Sequence, residues 1–393
     1  MKKLIALLLA LVMVVSMVAC AGDTTEPADT TEPADTTEPA DTTEPADTTE
    51  DAEPAGDGET YHFEIVSKGF QSTYWQAVLK GSQARIEELN SEAGYEKYTM
   101  NFVGPDSETD IAVQVQQMQS AVNAKPNAIG LAALDVDAQL DNITAAMDAG
   151  IPIIGFDSGV PAAPEGSVYA NASTDNYAAG KLAAEGMYEV ISSRIGGDQV
   201  RIGVVGQDAV SESVTNRGLG FIDAMIDMLS ADGYTAYVTG NEKYVTDCKG
   251  STGDEASANV IIEVRVPSQT TTEQCANEAG VILNEADTIA IFGSNQVAAE
   301  GIVTANETLN VCGSTEDSII AVGFDSGSVL KAAVSAGTMY GAVTQAPVSI
   351  GSVLIDLLAA VSAGEDVADT DTGCAFYTAE NINDEEIAQN LYD

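Results

Sequence analysis

Two α/β lobes, each a parallel sheet with helices on both faces, are predicted by three features of the sequence. Short apolar runs alternate with stretches whose apolar residues recur every three or four positions. The runs are almost continuous in Val, Ile, Ala and Phe, as strands buried on both faces require. The alternation runs once and then restarts, over roughly 330 residues, more than one core usually holds.

In the first series the expected strands are Phe63–Ser67, Thr99–Val103, Ala128–Ala133 and Pro152–Asp157. Helical stretches run between them over Tyr74–Glu92, Glu108–Asn123 and Asp137–Asp148. Ile111, Val115, Met118 and Val122 form one apolar stripe, read as core. Gly94 and Gly150 stand where two of these helices should stop. The second series has strands Arg201–Gly206, Thr235–Val238, Thr288–Gly293 and Ile319–Phe324. Its helices fall near Ser213–Leu229, Thr271–Glu285 and Gln296–Ala305.

What precedes these series is of a different kind. MKKLIALLLALVMVVSMVAC, residues 1–20, has a charged start, an aliphatic run and small residues before a cut, as a secretory signal does. Its end, Met17-Val18-Ala19-Cys20, resembles a bacterial lipobox, which implies a lipid on Cys20 and attachment to the cell membrane. Residues 21–59 carry DTTEPA four times from Asp23, with no Lys, Arg or aromatic residue. Such a segment cannot bury enough apolar area to offset its ordering entropy, so it reads as a disordered acidic stalk.

Charge and rare residues exclude several functions. With 61 acidic against 15 basic residues the net charge is −46. Nucleic-acid binding, which needs a positive footprint, is set aside. The acidity suits the solubility of an exported protein. Cys248, Cys275, Cys312 and Cys374 form no CxxC, so a metal cluster is not expected. One or two disulfides of unassigned pairing are compatible with export. His62, the only histidine, has no histidine partner for the usual metal or catalytic sets.

In parallel sheets ligands bind at the carboxyl ends of strands, so the loops there hold the candidate site. Lys68 and Tyr74-Trp75 follow the first strand, and Phe156-Asp157-Ser158-Gly159 the fourth. The second half offers Asn216-Arg217-Gly218, Ser294-Asn295-Gln296 and Phe324-Asp325-Ser326-Gly327. Aromatic faces with Asp, Asn, Arg and Gln suit a polyhydroxylated ligand, whose C–H face packs on a ring while its hydroxyls meet fork-shaped polar groups. The competing readings are helix caps for Asp157 and Asp325, a surface ion pair for Arg217, and packed core for either aromatic. Helix neighbours point about 100° apart, so at most one of Tyr74 and Trp75 is expected centrally in the core.

Taken in order, these pieces resemble the periplasmic sugar-binding proteins of ribose-binding architecture, receptors of ABC importers. ALDVDAQLDNITAAMDAGIPIIGFDSGV is similar to that family's third strand, helix and fourth strand. TDNYAAGKLAAEGM is similar to its first crossover, and VGFDSGSVLKAAVSAGTMYGAVTQAPVSIG to its distal end. The resemblance implies the type I periplasmic binding fold, with two Rossmann-like lobes joined by a three-strand hinge near Thr174, Gln345 and Phe376. The first lobe is then 60–174 with 346–375, and the second 175–345 with 376–393.

Residue by residue, the resemblance puts Tyr74, Trp75, Asp157, Arg217, Asn295, Asp325 and Gln345 at ligand positions, and Gln269 before the 271–285 helix. The sequence departs from the pattern at Ser72 in place of an asparagine, at Ser158 in place of an arginine and at Gln269 in place of an aromatic. Lys68 enters the same loop region as a new cation. Either it pairs with Asp157 or it favours an anionic, uronic sugar. Residues 241–264, with Cys248, read as an insertion in the second lobe.

The implied function is an extracytoplasmic lipoprotein that captures a sugar or polyol by hinge closure and delivers it to an ABC permease. The resemblance implies a monomer, no cofactor and no enzymatic activity. An input subunit for a sensor kinase or chemoreceptor, with a nucleoside or autoinducer-type ligand, is the alternative. A glycosidase built on Asp157 and Asp325 is disfavoured, because ligand hydrogen bonding accounts for both carboxylates. Asp369-Thr370-Asp371-Thr372-Gly373 imitates the start of a calcium loop, but Cys374 stands where that loop needs glycine.

Overall fold

The computed structural model describes residues 58–393. The leader with Cys20, and the stalk through residue 57, lie outside the described residues. The first lobe is built from β1 (Tyr61–Val66), α1 (Thr73–Ala93), β2 (Tyr98–Val103), α2 (Ile111–Ala124), β3 (Ala128–Leu131), α3 (Leu140–Asp148), β4 (Ile153–Phe156) and β5 (Val168–Ser173). After Thr174 and Asp175 come α4 (Asn176–Ile191), β6 (Val200–Val205), α5 (Glu212–Ala231), β7 (Ala236–Gly240), α6 (Glu242–Asp247), β8 (Val260–Arg265) and α7 (Thr272–Leu283). Then follow β9 (Thr288–Gly293), α8 (Gln296–Leu309), β10 (Ile320–Phe324), α9 (Ser328–Ala336) and β11 (Gly341–Gln345). The chain returns through α10 (Pro347–Ser362), which packs on α1, and β12 (Thr370–Asp371), which pairs with β5. It ends in the second lobe with β13 (Cys374–Thr378) and α11 (Glu385–Ala388).

Strand order is β12-β5-β4-β3-β1-β2 in the first sheet and β13-β11-β10-β9-β6-β8-β7 in the second. Every pairing is parallel except β13 against β11. Both faces of each sheet are covered because both sides of the central strands are apolar. In β4, Ile154 packs into the cluster with Phe63, Ile65, Ile350 and Leu354, while Ile153 joins Val66, Met118, Ile129 and Ile143 on the other face. In the second sheet Phe292 stacks on Phe221 of α5 at 4.4 Å, and Ile291 packs towards Ile282, Ala298 and Ile302.

Close helix crossings set the geometry around the cleft. Gly180 of α4 lies against the carbonyl of Arg217 in α5, where a Cβ would collide. That approach lets α5 present the Arg217 side chain inward. Burial of this density, rather than helix propensity, holds such elements in place.

Three expectations need correction. Residues 241–264 are not an insertion: they contain α6 and the start of β8, which sits inside the second sheet between β6 and β7. Glu263 interrupts the apolar run VIIEVR, but Arg201 and Arg265 neutralise it. The third crossing falls at Thr372-Gly373, ahead of Phe376, because Cys374 already pairs with Gln345 of β11. Cys248, Cys275, Cys312 and Cys374 are all free thiols. Burial pushes Cys275 and Cys312 up to about 12, which leaves them unreactive.

Asp369 and Asp371 serve the crossings. Asp369 accepts from the Asn171 backbone at 2.8 Å, and Asp371 from the backbones of Asp175 at 3.1 Å and Gly373 at 2.9 Å. No acidic, Cys or His cluster with metal-site geometry occurs among the described residues, and none of their helices is long and apolar enough to cross a membrane.

Candidate functional site

The carboxyl ends of the two sheets face each other across a cavity of about 230 Å³. Lys68, Ser72, Tyr74, Trp75, Glu108 and Asp157 line it from the first lobe. Gln207, Ser213, Arg217, Asn295, Gln296, Glu300, Asp325 and Gln345 are among those lining it from the second.

Two equivalent turns anchor the site. Asp157 directly follows β4 in Phe-Asp-Ser-Gly, Asp325 directly follows β10 in the same tetrapeptide, and both have positive φ, 57° and 74°. That conformation is costly for a residue other than Gly, though Asp tolerates it better than most. The cost is met by what each carboxylate holds. Asp157 accepts from Tyr74 Oη at 2.6 Å and lies 3.0 Å from Lys68 Nζ. Asp325 accepts from Gln345 Nε2 at 2.7 Å and from the Gln296 backbone at 3.1 Å. Neither aspartate caps the helix that follows it. Gly327 is the N-cap of α9, and no helix begins directly after Asp157.

Arg217 stands on α5 with its guanidinium over the ring of Phe324, 3.9 Å from the centroid. Its Nε donates to Asn176 Oδ1 at 2.8 Å and Nη1 to the Ser294 carbonyl at 3.2 Å, while Asp325 lies 3.7 Å away. It is a buried cleft cation, not a surface ion-pair partner.

Both rings of the Tyr74-Trp75 pair are buried, at 6% and 2% exposure, contrary to the expectation that only one is central. They meet edge-on at 5.0 Å, Trp75 also meets Phe156, and Tyr74 meets Tyr392. The helical-wheel argument fails here because the pair opens α1. Loops and the second lobe surround the helix end, so two directions 100° apart both lead inward.

Asn295 is the N-cap of α8, accepting from Ala298 at 3.0 Å, and its amide contacts Gln207 Oε1. Gln345 is 1% exposed, and its Oε1 finds no hydrogen-bond partner among the described residues. Ser158, expected at the ligand, is buried and does not line the cavity; its Oγ lies 3.3 Å from Ser211 Oγ. Gln269 is exposed in the β8–α7 loop and does not reach the cleft. Gln207, from the neighbouring β6–α5 loop, lines the cavity there instead and meets Glu108 of the first lobe.

Those two escaped sequence reading. Glu108 accepts from Trp75 Nε1 at 2.8 Å and, across the cleft, from Gln207 Nε2 at 2.9 Å. Both sit in strand-to-helix loops, β2–α2 and β6–α5, and that position was the available signal.

Carboxylates outnumber cations four to two in the lining, namely Glu108, Asp157, Glu300 and Asp325 against Lys68 and Arg217. Burial raises the carboxyls of Glu108, Asp325, Glu212 and Glu300. A carboxyl raised in the folded state keeps its proton where the unfolded chain has lost it. Its contribution to stability is therefore whole below the ordinary carboxylate value and falls as pH rises through the interval up to the raised one. The expected result is a Tm that climbs by a few degrees on acidification through that interval, at about 2–4 °C per kcal/mol, with Glu108→Gln flattening the slope. Thermal melts across pH check it, and a Tm that falls over the same interval contradicts it.

A family model described as a periplasmic binding protein domain matches residues 63–366. Among solved structures, one from Brachyspira murdochii, described as an ABC transporter, LacI family transcriptional regulator, is 31% identical with a TM-score of 0.69, covering 85% of this chain and 99% of that one. An ABC transporter solute binding protein from Agrobacterium vitis with bound D-fucose is 29% identical with a TM-score of 0.69, covering 84% and 100%. A glucose-galactose binding protein from Geobacillus stearothermophilus shares the fold at 23% identity and a TM-score of 0.65, covering 83% and 100%. Comparison with curated proteins gives no match. With the family model spanning most of the chain, and two lobes joined by three crossings around a polar cavity, this chain belongs to the periplasmic binding protein family.

Proposed function

We propose that the protein is the extracytoplasmic sugar receptor of an ABC importer, closing its two lobes on an uncharged sugar or polyol. The observation that carries this reading is the make-up of the cavity. Aromatic edges lie beside carboxylate, amide and guanidinium groups drawn from both lobes, so one ligand contacts both and stabilises the closed form by its differential affinity. The D-fucose bound to the Agrobacterium vitis relative supports the ligand class.

Tyr74 and Trp75 supply the apolar wall in this reading. Asp157, Asp325, Glu108 and Gln345 accept from hydroxyls, and Arg217 donates, with Ser72 at the rim. An anionic sugar fits poorly, since the lining carboxylates are in excess and Lys68 is already paired with Asp157. We assign anchoring to a lipid on Cys20 and delivery to a membrane permease on the leader and stalk together with the family membership.

Trp75 is the only tryptophan, so its fluorescence reports on the cavity directly. The protein is titrated with pentoses, hexoses, inositols, nucleosides and uronic acids while fluorescence and Tm are followed. A saturable emission change with a neutral sugar is expected, with a Tm rise corresponding to about 2.7 kcal/mol at a hundredfold excess over Kd. A Tm rise without any emission change places the ligand elsewhere. Silence in both signals refutes the sugar reading.

A further inference from the structure

We propose that Lys68 is a clamp between the lobes, closing the cleft through Ser211 and Ser213 of the second lobe rather than by meeting the ligand. The inference rests on the hinged-receptor reading but not on the identity of the ligand.

An ammonium has three N–H donors and no acceptor. Lys68 Nζ has three oxygens to serve: Ser211 Oγ at 2.8 Å, Ser213 Oγ at 2.9 Å and Asp157 Oδ2 at 3.0 Å. Its donors are fully spent inside the protein, and the residue is 3% exposed. One partner belongs to its own lobe and two belong to the other. The serines are held in turn, since Ser158 Oγ accepts from the Ser213 backbone at 3.2 Å and lies 3.3 Å from Ser211 Oγ. The knot therefore ties the ends of β1 and β4 to the start of α5.

Its location shows what holds the cation. Ser211 is the N-cap of α5 and Ser213 lies in its first turn, where the helix dipole disfavours positive charge. The hydroxyl oxygens and Asp157 must outweigh that field. They do so together only when the lobes are shut, because the serines leave with the second lobe. Further cross-cleft bonds run alongside, from the Gly159 backbone to Glu212 at 3.2 Å and from Gln207 to Glu108 at 2.9 Å. A closing force that needs no ligand follows from this arrangement. It raises the closed fraction of the empty receptor, and so its apparent affinity for any ligand that prefers the closed form.

The test uses the full chain with no ligand added. Acrylamide quenching of Trp75 reads the opening of the cleft, and small-angle X-ray scattering reads the separation of the lobes. Each hydrogen bond to a charged group is worth on the order of tenfold in an equilibrium. The Ser211→Ala/Ser213→Ala pair is therefore expected to shift the empty protein strongly towards open, with quenching raised several-fold and a larger radius of gyration. Lys68→Met should do the same, and Ser211→Thr/Ser213→Thr, which keeps both hydroxyls, should restore the compact, protected state. A purely structural role for the serines would lower Tm but leave quenching and radius as in the parent. Equal quenching and equal scattering in parent, double-alanine variant and Lys68→Met overturn the clamp. Because no sugar is present, that outcome leaves the sugar reading standing, and a failed sugar titration leaves the clamp standing.

Discussion

Asp157→Ala is expected to abolish tight ligand binding and also to lower the stability of the protein. From the sequence alone the expectation is loss of tight binding without unfolding, because sugar hydroxyls and pocket donors are left unpaired. The structure changes the second half of that expectation. Asp157 is the acceptor for Tyr74 Oη and the counter-ion of Lys68, both buried. Removing one member of a buried charge pair costs about 3–5 kcal/mol, because the other is left without compensation. The loss of hydrogen bonds from a carboxylate to ligand hydroxyls adds about 1.5–3 kcal/mol for each bond, so affinity falls at least on the order of a hundredfold for two.

Asp157→Asn separates the two effects. Asparagine tolerates the left-handed backbone at φ 57° and still accepts from Tyr74, so stability should recover in part while affinity stays low. Calorimetric titration with the sugar that moves Trp75 emission, beside a thermal melt of each variant, checks both halves. An Asp157→Ala protein with parental affinity removes the residue from the site.

How much of this was legible in the sequence depends on the kind of signal. The strands leading to the cleft were legible because burial on both faces demands continuous apolar runs, as in Ile153–Phe156 and Thr288–Gly293. The two Phe-Asp-Ser-Gly turns were legible because each ends such a run. β8 was lost because Glu263 breaks its apolar pattern, and only the folded sheet brings Arg201 and Arg265 beside it. Glu108 and Gln207 were lost for a related reason. Each is an ordinary polar loop residue until the lobes meet, and their importance lies in a bond between them 99 residues apart in sequence. Gln269 was misplaced because it does sit in a strand-to-helix loop, β8–α7, but its side chain is exposed there, and position along the chain does not register which loop side chains turn into the cleft. The burial of both rings comes from residues outside α1, Phe156 and Glu108 against Trp75 and Asp157 and Tyr392 against Tyr74, which no single-helix argument contains.

Arg217→Met should give the second large effect, and its pH dependence distinguishes the cause. The guanidinium covers Phe324, satisfies Asn176 and the Ser294 carbonyl, and lies 3.7 Å from Asp325. Methionine keeps some of the packing but leaves Asp325 buried without its nearest cation, at a cost of about 3–5 kcal/mol near neutral pH. Burial already raises the Asp325 carboxyl, and Arg217 is the strongest influence holding it down. Without the arginine that carboxyl rises further, so the interval in which the folded state retains a proton widens. Stability is lost as pH climbs through that interval, and protonation on acidification relieves the unpaired charge. The deficit of Arg217→Met relative to the parent should therefore shrink as pH falls towards the ordinary carboxylate range. Arg217→Lys should recover only part of the loss, since an ammonium cannot lie flat over the Phe324 ring while its donors reach both Asn176 and the Ser294 carbonyl. Chemical denaturation of parent and both variants at neutral and mildly acidic pH decides the matter. A deficit that is the same at both pH values assigns the cost to lost packing over Phe324, and a lysine variant as stable as the parent reduces Arg217 to a point charge.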